Sequence, residues 1–133
     1  MILGIGNDIV DIRRIEKAFE RHGERFIERC FTPHEQKKAK RRESAGTQHD
    51  VYAKRFAAKE ACAKALGTGF AKNIVLKDIG VVENEEGRPF LELSGGALEQ
   101  LVAITPKGKK AVLHLSLSDE PPMAQAFVVI EAL

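Results

Sequence analysis

Phe56-Ala-Ala-Lys-Glu-Ala-Cys-Ala-Lys-Ala-Leu-Gly-Thr-Gly69 reads as an alanine-rich helix that carries an acid and a base one turn apart and then stops at a Gly-Thr-Gly turn. Phe56, Glu60 and Lys64 fall on one helical face, and the next turn reaches Gly67. A carboxylate, an ammonium group and a loop with backbone N–H groups therefore meet near the helix C-terminus. A Glu–Lys pair at this spacing stabilises any exposed helix by ~0.3–0.5 kcal/mol and by itself indicates no chemistry. Its context does: the alanines at 57, 58, 61, 63 and 65 admit close backbone approach, and successive glycines in turn conformations can form an anion nest.

Outward from this helix, residues 2–10 read as a strand interrupted by Gly4 and Gly6, with Asp8 and Asp11 where it ends. This Gly-x-Gly lacks the third glycine of a dinucleotide fingerprint. From Ile12 the period becomes helical, with Ile12, Ile15 and Phe19 on one face and Arg14, Lys17 and Arg21 on the other. Gly23 ends or interrupts that helix, Glu24–Phe31 forms a second piece, and Thr32-Pro33 caps a third. Residues 43–50 read as a loop and the long helix as Val51–Leu66. The second half is strand-rich: Ile79–Glu83 and Pro89–Leu93 around a hairpin, a short helix to Val102, then strands Lys110–Ser116 and Met123–Ile130. The expected class is α+β, with N-terminal helices packed on a largely antiparallel sheet, in a single domain over residues 1–133.

Composition bounds the function. The chain has 44% apolar residues, seven Phe, one Tyr and no Trp, which supports a core but not a nucleic-acid stacking platform. The net charge of +2 conceals a basic first half, because residues 13–42 hold eleven Lys/Arg against five Asp/Glu. Such a surface invites an acidic partner. Cys30 and Cys62 lack metal-ligand spacing and read as reduced thiols. No apolar run approaches the ~20 residues of a membrane span, and the N-terminus lacks the basic-then-apolar pattern of a signal peptide, so a cytoplasmic protein without membrane or nucleic-acid partners is expected.

Asp8 and Glu60 are the candidate metal ligands. Magnesium (Mg2+) is usually held by one or two carboxylates plus substrate phosphates, and Lys64 is placed to neutralise a bound diphosphate. On a strand, His114, Ser116 and Ser118 share a face that suits a polar ligand. Arg14, Arg21 and Arg25 would form one stripe if helix continued through Gly23, with Phe26 and Arg29 beside it, suited to carboxylates of an acidic helix.

Together these residues resemble the small, stand-alone 4′-phosphopantetheinyl transferases, the holo-acyl-carrier-protein synthase family. The resemblance runs through Gly4-Ile-Gly-Asn-Asp-Ile-Val-Asp-Ile12 with Arg14, Phe31-Thr-Pro-His-Glu35, Arg55-Phe-Ala-Ala-Lys-Glu-Ala61 on to Gly69, Gly87-Arg-Pro89 and His114-Leu-Ser-Leu-Ser118. It implies transfer of the 4′-phosphopantetheine arm of coenzyme A to a serine of apo acyl carrier protein, with adenosine 3′,5′-bisphosphate leaving. It further implies Asp8 and Glu60 as magnesium ligands and Glu60 and Lys64 as catalytic residues. Lys64, Gly67, Thr68, Gly69 and His114 would bind coenzyme A, and Arg14, Arg21, Arg25, Phe26 and Arg29 would dock the carrier. A homotrimer with sites between subunits is the assembly it implies. Many relatives place a His where this chain has Asp119. The remaining readings are a non-catalytic module that binds nucleotides or coenzyme A, and a nucleic-acid-binding protein in which Asp8 and Glu60 are merely structural.

Overall fold

The computed structural model describes residues 1–133. Strand β1 (Ile2–Asp11) leads into helices α1 (Ile12–His22), α2 (Glu24–Cys30), α3 (Pro33–Lys40) and α4 (Gln48–Ala65). A 3-10 turn (Leu76–Asp78), the hairpin β2 (Ile79–Glu83) and β3 (Pro89–Leu93), helix α5 (Gly95–Ile104) and strands β4 (Ala111–Glu120) and β5 (Met123–Ala132) follow. The α+β expectation holds. Sheet order is β1-β5-β4, wholly antiparallel, and β2-β3 stands apart as its own pair.

The differences from the sequence reading lie at element ends. Helix α4 starts at Gln48, three residues early, because His49 and Asp50 continue its first turn. His49 is held there by edge-on contact with Phe19, at 5.5 Å between ring centroids. Strands β4 and β5 run on through Glu120 and Ala132, paired residue for residue to their turn. Polar residues at a solvent-facing edge hide such an extension from an apolar-alternation reading.

Eleven of the eighteen α4 residues are buried, which makes it the central helix and explains its lack of a polar face. It lies across β1 and β5. The buried sheet face carries Val10, Ala124, Ala126, Val128 and Ile130, all within the one core. Close packing of β1 on α4 depends on glycine. A Cβ at Gly6 would collide with the Ala61 carbonyl oxygen, and one at Gly4 with that of Ala65. On the opposite sheet face, Ile5 (59% exposed), Ile9 (58%) and Phe127 (44%) are open. Both cysteines are free and buried.

Gly23 breaks the first helical run. Its φ of 54° and ψ of −131° close α1 and start α2, so the arginine stripe is not one continuous helical face. Thr32 caps α3 as expected, in a full capping box with Glu35.

Candidate active site

The contact between β1 and α4 that requires Gly4 and Gly6 also sets Asp8 beside Glu60. Asp8 shares the inward face of β1 with Gly6 and Val10, opposite Ala126 of β5. Glu60 is half-buried on α4. Burial first, and then the charge of Asp8, push the Glu60 carboxyl above its ordinary range; Lys64 and Arg14 partly offset this. Two carboxylates held close without a neutralising partner for both are costly unless a cation completes them. Part of that role falls to Lys64, whose Nζ lies 3.0 Å from Asp8 Oδ1 and donates to the Asn7 carbonyl oxygen, also at 3.0 Å.

No third Asp, Glu, His or Cys joins this pair. The side-chain donor set is thus two carboxylates with no nitrogen or sulfur. That chemistry fits a hard cation that keeps water and takes its remaining ligands from phosphate, and it does not fit zinc.

The Gly67-Thr68-Gly69 turn has a different use of its amides from an open nest. Gly67 and Gly69 take φ of 86° and 59°, and their N–H groups donate to the Lys64 and Ala63 carbonyl oxygens at 3.0 and 3.1 Å. The last carbonyls of α4 need donors, and the turn supplies them. Within the turn, only Thr68 keeps its N–H free of a backbone partner.

Arg14 lies close enough to act on Glu60, and Phe26 reaches the same region through Phe56, at 6.5 Å between ring centroids. Arg25, Phe26 and Arg29 line a hollow of about 190 Å³ with His22, and Arg21 stands exposed in the last turn of α1. Arg14 thus adjoins the carboxylates and Arg25, Phe26 and Arg29 share one hollow, while no contact joins Arg21 to either group.

His114 is not brought to this place. It lies on the outward face of β4, in the row of Val129 and Ile5, and its Nε2 is 3.0 Å from Glu131 Oε1. Ser116 and Ser118 are exposed on the same face, as expected. Within one chain the sheet separates His114 from Asp8 and Glu60.

Two constellations escaped the sequence reading. Lys38, Arg42, Lys54 and Arg55 line a hollow of about 400 Å³ together with Asp50 and Asp119, and Lys54 Nζ lies 3.5 Å from Asp119 Oδ1. Arg55 is buried; its Nη2 reaches Glu83 Oε2 at 3.4 Å, and its Nε has no partner. The run of bases at 37–42 signalled half of this hollow, but its convergence with α4 is a tertiary fact. The other constellation is the buried pair Lys59–Glu35, 2.7 Å apart. Its signal was Lys59 standing in the stripe of Tyr52, Cys62 and Leu66, where an apolar residue belongs.

Comparison with known proteins gives this geometry a family. Residues 4–121 match the 4′-phosphopantetheinyl transferase superfamily. The chain belongs to that superfamily. It is accordingly an enzyme, a phosphopantetheinyl transferase. A holo-acyl-carrier-protein synthase of Brucella ovis is 54% identical over 133 residues, covering 100% of this chain and 97% of the relative. The crystal structure of the holo-acyl-carrier-protein synthase of Neisseria meningitidis superposes with a TM-score of 0.81 at 39% identity, covering 98% of this chain and 99% of that one. That of Bacillus anthracis, solved in complex with coenzyme A (3′,5′-ADP), gives 0.78 at 36% identity, covering 100% and 99%.

Proposed function

We propose that this transferase moves the 4′-phosphopantetheine arm of coenzyme A to a serine of apo acyl carrier protein, releasing adenosine 3′,5′-bisphosphate, with magnesium as cofactor. The observation that carries the reading is the pairing of Asp8 with Glu60, enforced by two glycines, with Lys64 already on the pair. The Bacillus anthracis relative, solved with coenzyme A, supports the donor.

In this reading Asp8 and Glu60 would hold Mg2+, which would supply charge withdrawal from the diphosphate. Lys64 turns from Asp8 to the diphosphate and stabilises the leaving phosphate. The serine Oγ forms its bond to the phosphorus bearing the pantetheine arm while the bond to the bridging oxygen breaks. Glu60 takes the serine proton, directly or through a water. Gly67, Thr68 and Gly69 line the coenzyme A site, where the free N–H of Thr68 is the available backbone donor. Arg14, Arg21, Arg25, Phe26 and Arg29 dock the acidic carrier. His114 belongs to the same site only if a neighbouring copy supplies it. The open Ile5, Ile9 and Phe127 on its sheet face favour such an assembly, a homotrimer. A cytoplasmic location belongs to the same proposal. No helix is long and apolar enough to cross a membrane.

The test is to incubate the protein with apo acyl carrier protein, coenzyme A and magnesium and to weigh the carrier intact. A gain of one phosphopantetheine, lost on chelation, is expected. No gain across several carriers with coenzyme A still bound would reduce the protein to a binding module.

A further inference from the structure

Two of the chain's motif residues take no part in the site described so far: Glu35, which ends Phe31-Thr-Pro-His-Glu35, and Lys59, the neighbour of Glu60. Both are buried, with Lys59 at 0% and Glu35 at 1% exposure. Lys59 Nζ lies 2.7 Å from Glu35 Oε1 and donates to the Ile79 and Leu76 carbonyl oxygens at 2.6 and 3.1 Å. Glu35 also accepts the Thr32 N–H on Oε1 at 2.8 Å and the Val81 N–H on Oε2 at 2.7 Å. All three Lys59 donors are used, and both Glu35 oxygens are occupied.

An ion pair so placed is a poor source of stability, because apolar residues of similar volume often serve as well or better. It does supply direction: two amides and two carbonyls are drawn to fixed points that no apolar side chain could hold. Burial lowers the proton affinity of Lys59, against which the Glu35 charge acts. The points matter because of what lies between them. The chain leaves α4 at Leu66, crosses Gly67–Val75, and is returned to α4 at Leu76 by Lys59. Lys59 lies seven residues before Leu66, so the loop closes over the last two turns of the helix, about 10 Å of its length. Those same two turns carry Glu60 and Lys64 on a neighbouring face.

We infer that Lys59 and Glu35 are positioning residues: they hold the far end of the Gly67–Val75 loop against α4 and so set the shape of the coenzyme A site. This rests on the proposed reading of that loop as part of that site.

The test uses the double variant Glu35→Gln/Lys59→Met, which leaves no lone buried charge. Amide hydrogen exchange on the substrate-free protein should show residues 67–81 losing protection while the β1-β5-β4 sheet keeps it. In steady state the KM for coenzyme A should rise about tenfold or more, with kcat and the carrier KM changing less than about threefold. A merely structural pair would lower kcat in step with the folded fraction and leave the KM for coenzyme A alone; that result, or unchanged loop exchange, overturns the inference. Should the double variant not fold, Glu35→Gln alone is read the same way. It removes the ion pair but keeps the Lys59 contacts to Leu76 and Ile79, and a rise of about threefold in the same KM is expected, an unchanged KM being contrary. The exchange measurement needs no substrate. It decides the positioning claim even if wild-type protein transfers nothing, a result that would instead overturn the proposed function.

Discussion

Lys64 Nζ lies 3.0 Å from Asp8 Oδ1 and occupies one of the two carboxylates assigned to magnesium. The lysine stands where a cation is wanted, and the Asn7 carbonyl oxygen steadies it there. An ion pair with one partner this exposed contributes ~0.2–1 kcal/mol. Displacing it therefore sets a small penalty on metal binding. Lys64→Met should bind magnesium about two- to fivefold more tightly than wild type without coenzyme A, by calorimetry. The same variant should bind coenzyme A more weakly and turn over slowly. Weaker magnesium binding in Lys64→Met would show that the lysine does not compete for the site.

Glu60 carries a cost that function requires. Its carboxyl titrates above the usual range because burial and Asp8 oppose its charge. The protonated form is thus favoured by folding. The stability this confers is full below the unfolded-state pKa and is lost as pH rises through the higher folded-state value. At neutral pH the metal-free protein bears the charge at a loss. Glu60→Gln should therefore melt higher than wild type in chelator at pH 7, with the difference closing on acidification through the Glu60 titration. Its turnover should fall about a hundredfold or more, as should that of Asp8→Asn, because the metal site loses a ligand. A Glu60→Gln protein that melts lower at pH 7 would contradict this account.

How much of this site could be read from sequence follows from its physics. Asp8 and Glu60 stood out because each lies in a local pattern, a glycine pair on a strand and a helical face of small residues. Periodicity, caps and turn residues identified every α-helix and strand, and missed the 3-10 turn Leu76–Asp78 and ends such as Gln48 and Glu120, where polar residues extend an element without marking it. Lys59–Glu35 spans two distant segments and needed the packed core to become visible. The Gly67 and Gly69 amides looked free because the sequence does not show which carbonyls of α4 they must serve. The arginine stripe depended on Gly23, and its backbone conformation breaks the face that periodicity joined.

Gly6 tests whether the β1–α4 contact positions the carboxylates. A methyl group there meets the Ala61 carbonyl oxygen, which belongs to helix backbone and cannot turn aside. Gly6→Ala should cost about 2–3 kcal/mol in chemical denaturation and, in the protein that remains folded, weaken magnesium binding as β1 moves off α4. Gly80→Ala is the control. Its Cβ would meet nothing nearer than 3.5 Å and should leave magnesium affinity as it was. Equal effects of the two substitutions would dissociate the glycine contact from the site.

The basic surface of α1 and α2 should govern encounter with the carrier more than chemistry. Arg25 and Arg29 flank the hollow that holds Phe26, and Phe26 packs towards Phe56, one turn before Glu60. Charge reversal at a docking rim mainly slows association and alters its salt dependence. Arg25→Glu and Arg29→Glu should each raise the carrier KM about tenfold, flatten its dependence on ionic strength, and leave the KM for coenzyme A unchanged. Lys107 and Lys109, in the turn between α5 and β4, serve as controls, and their reversal should change neither constant. Arg14 should behave differently, because its charge also relieves Glu60. Arg14→Ala is expected to lower kcat as well as raise the carrier KM, with the pH dependence of kcat displaced upward as Glu60 loses a neighbouring cation. A carrier KM that ignores all three arginines would move the docking surface elsewhere on the molecule.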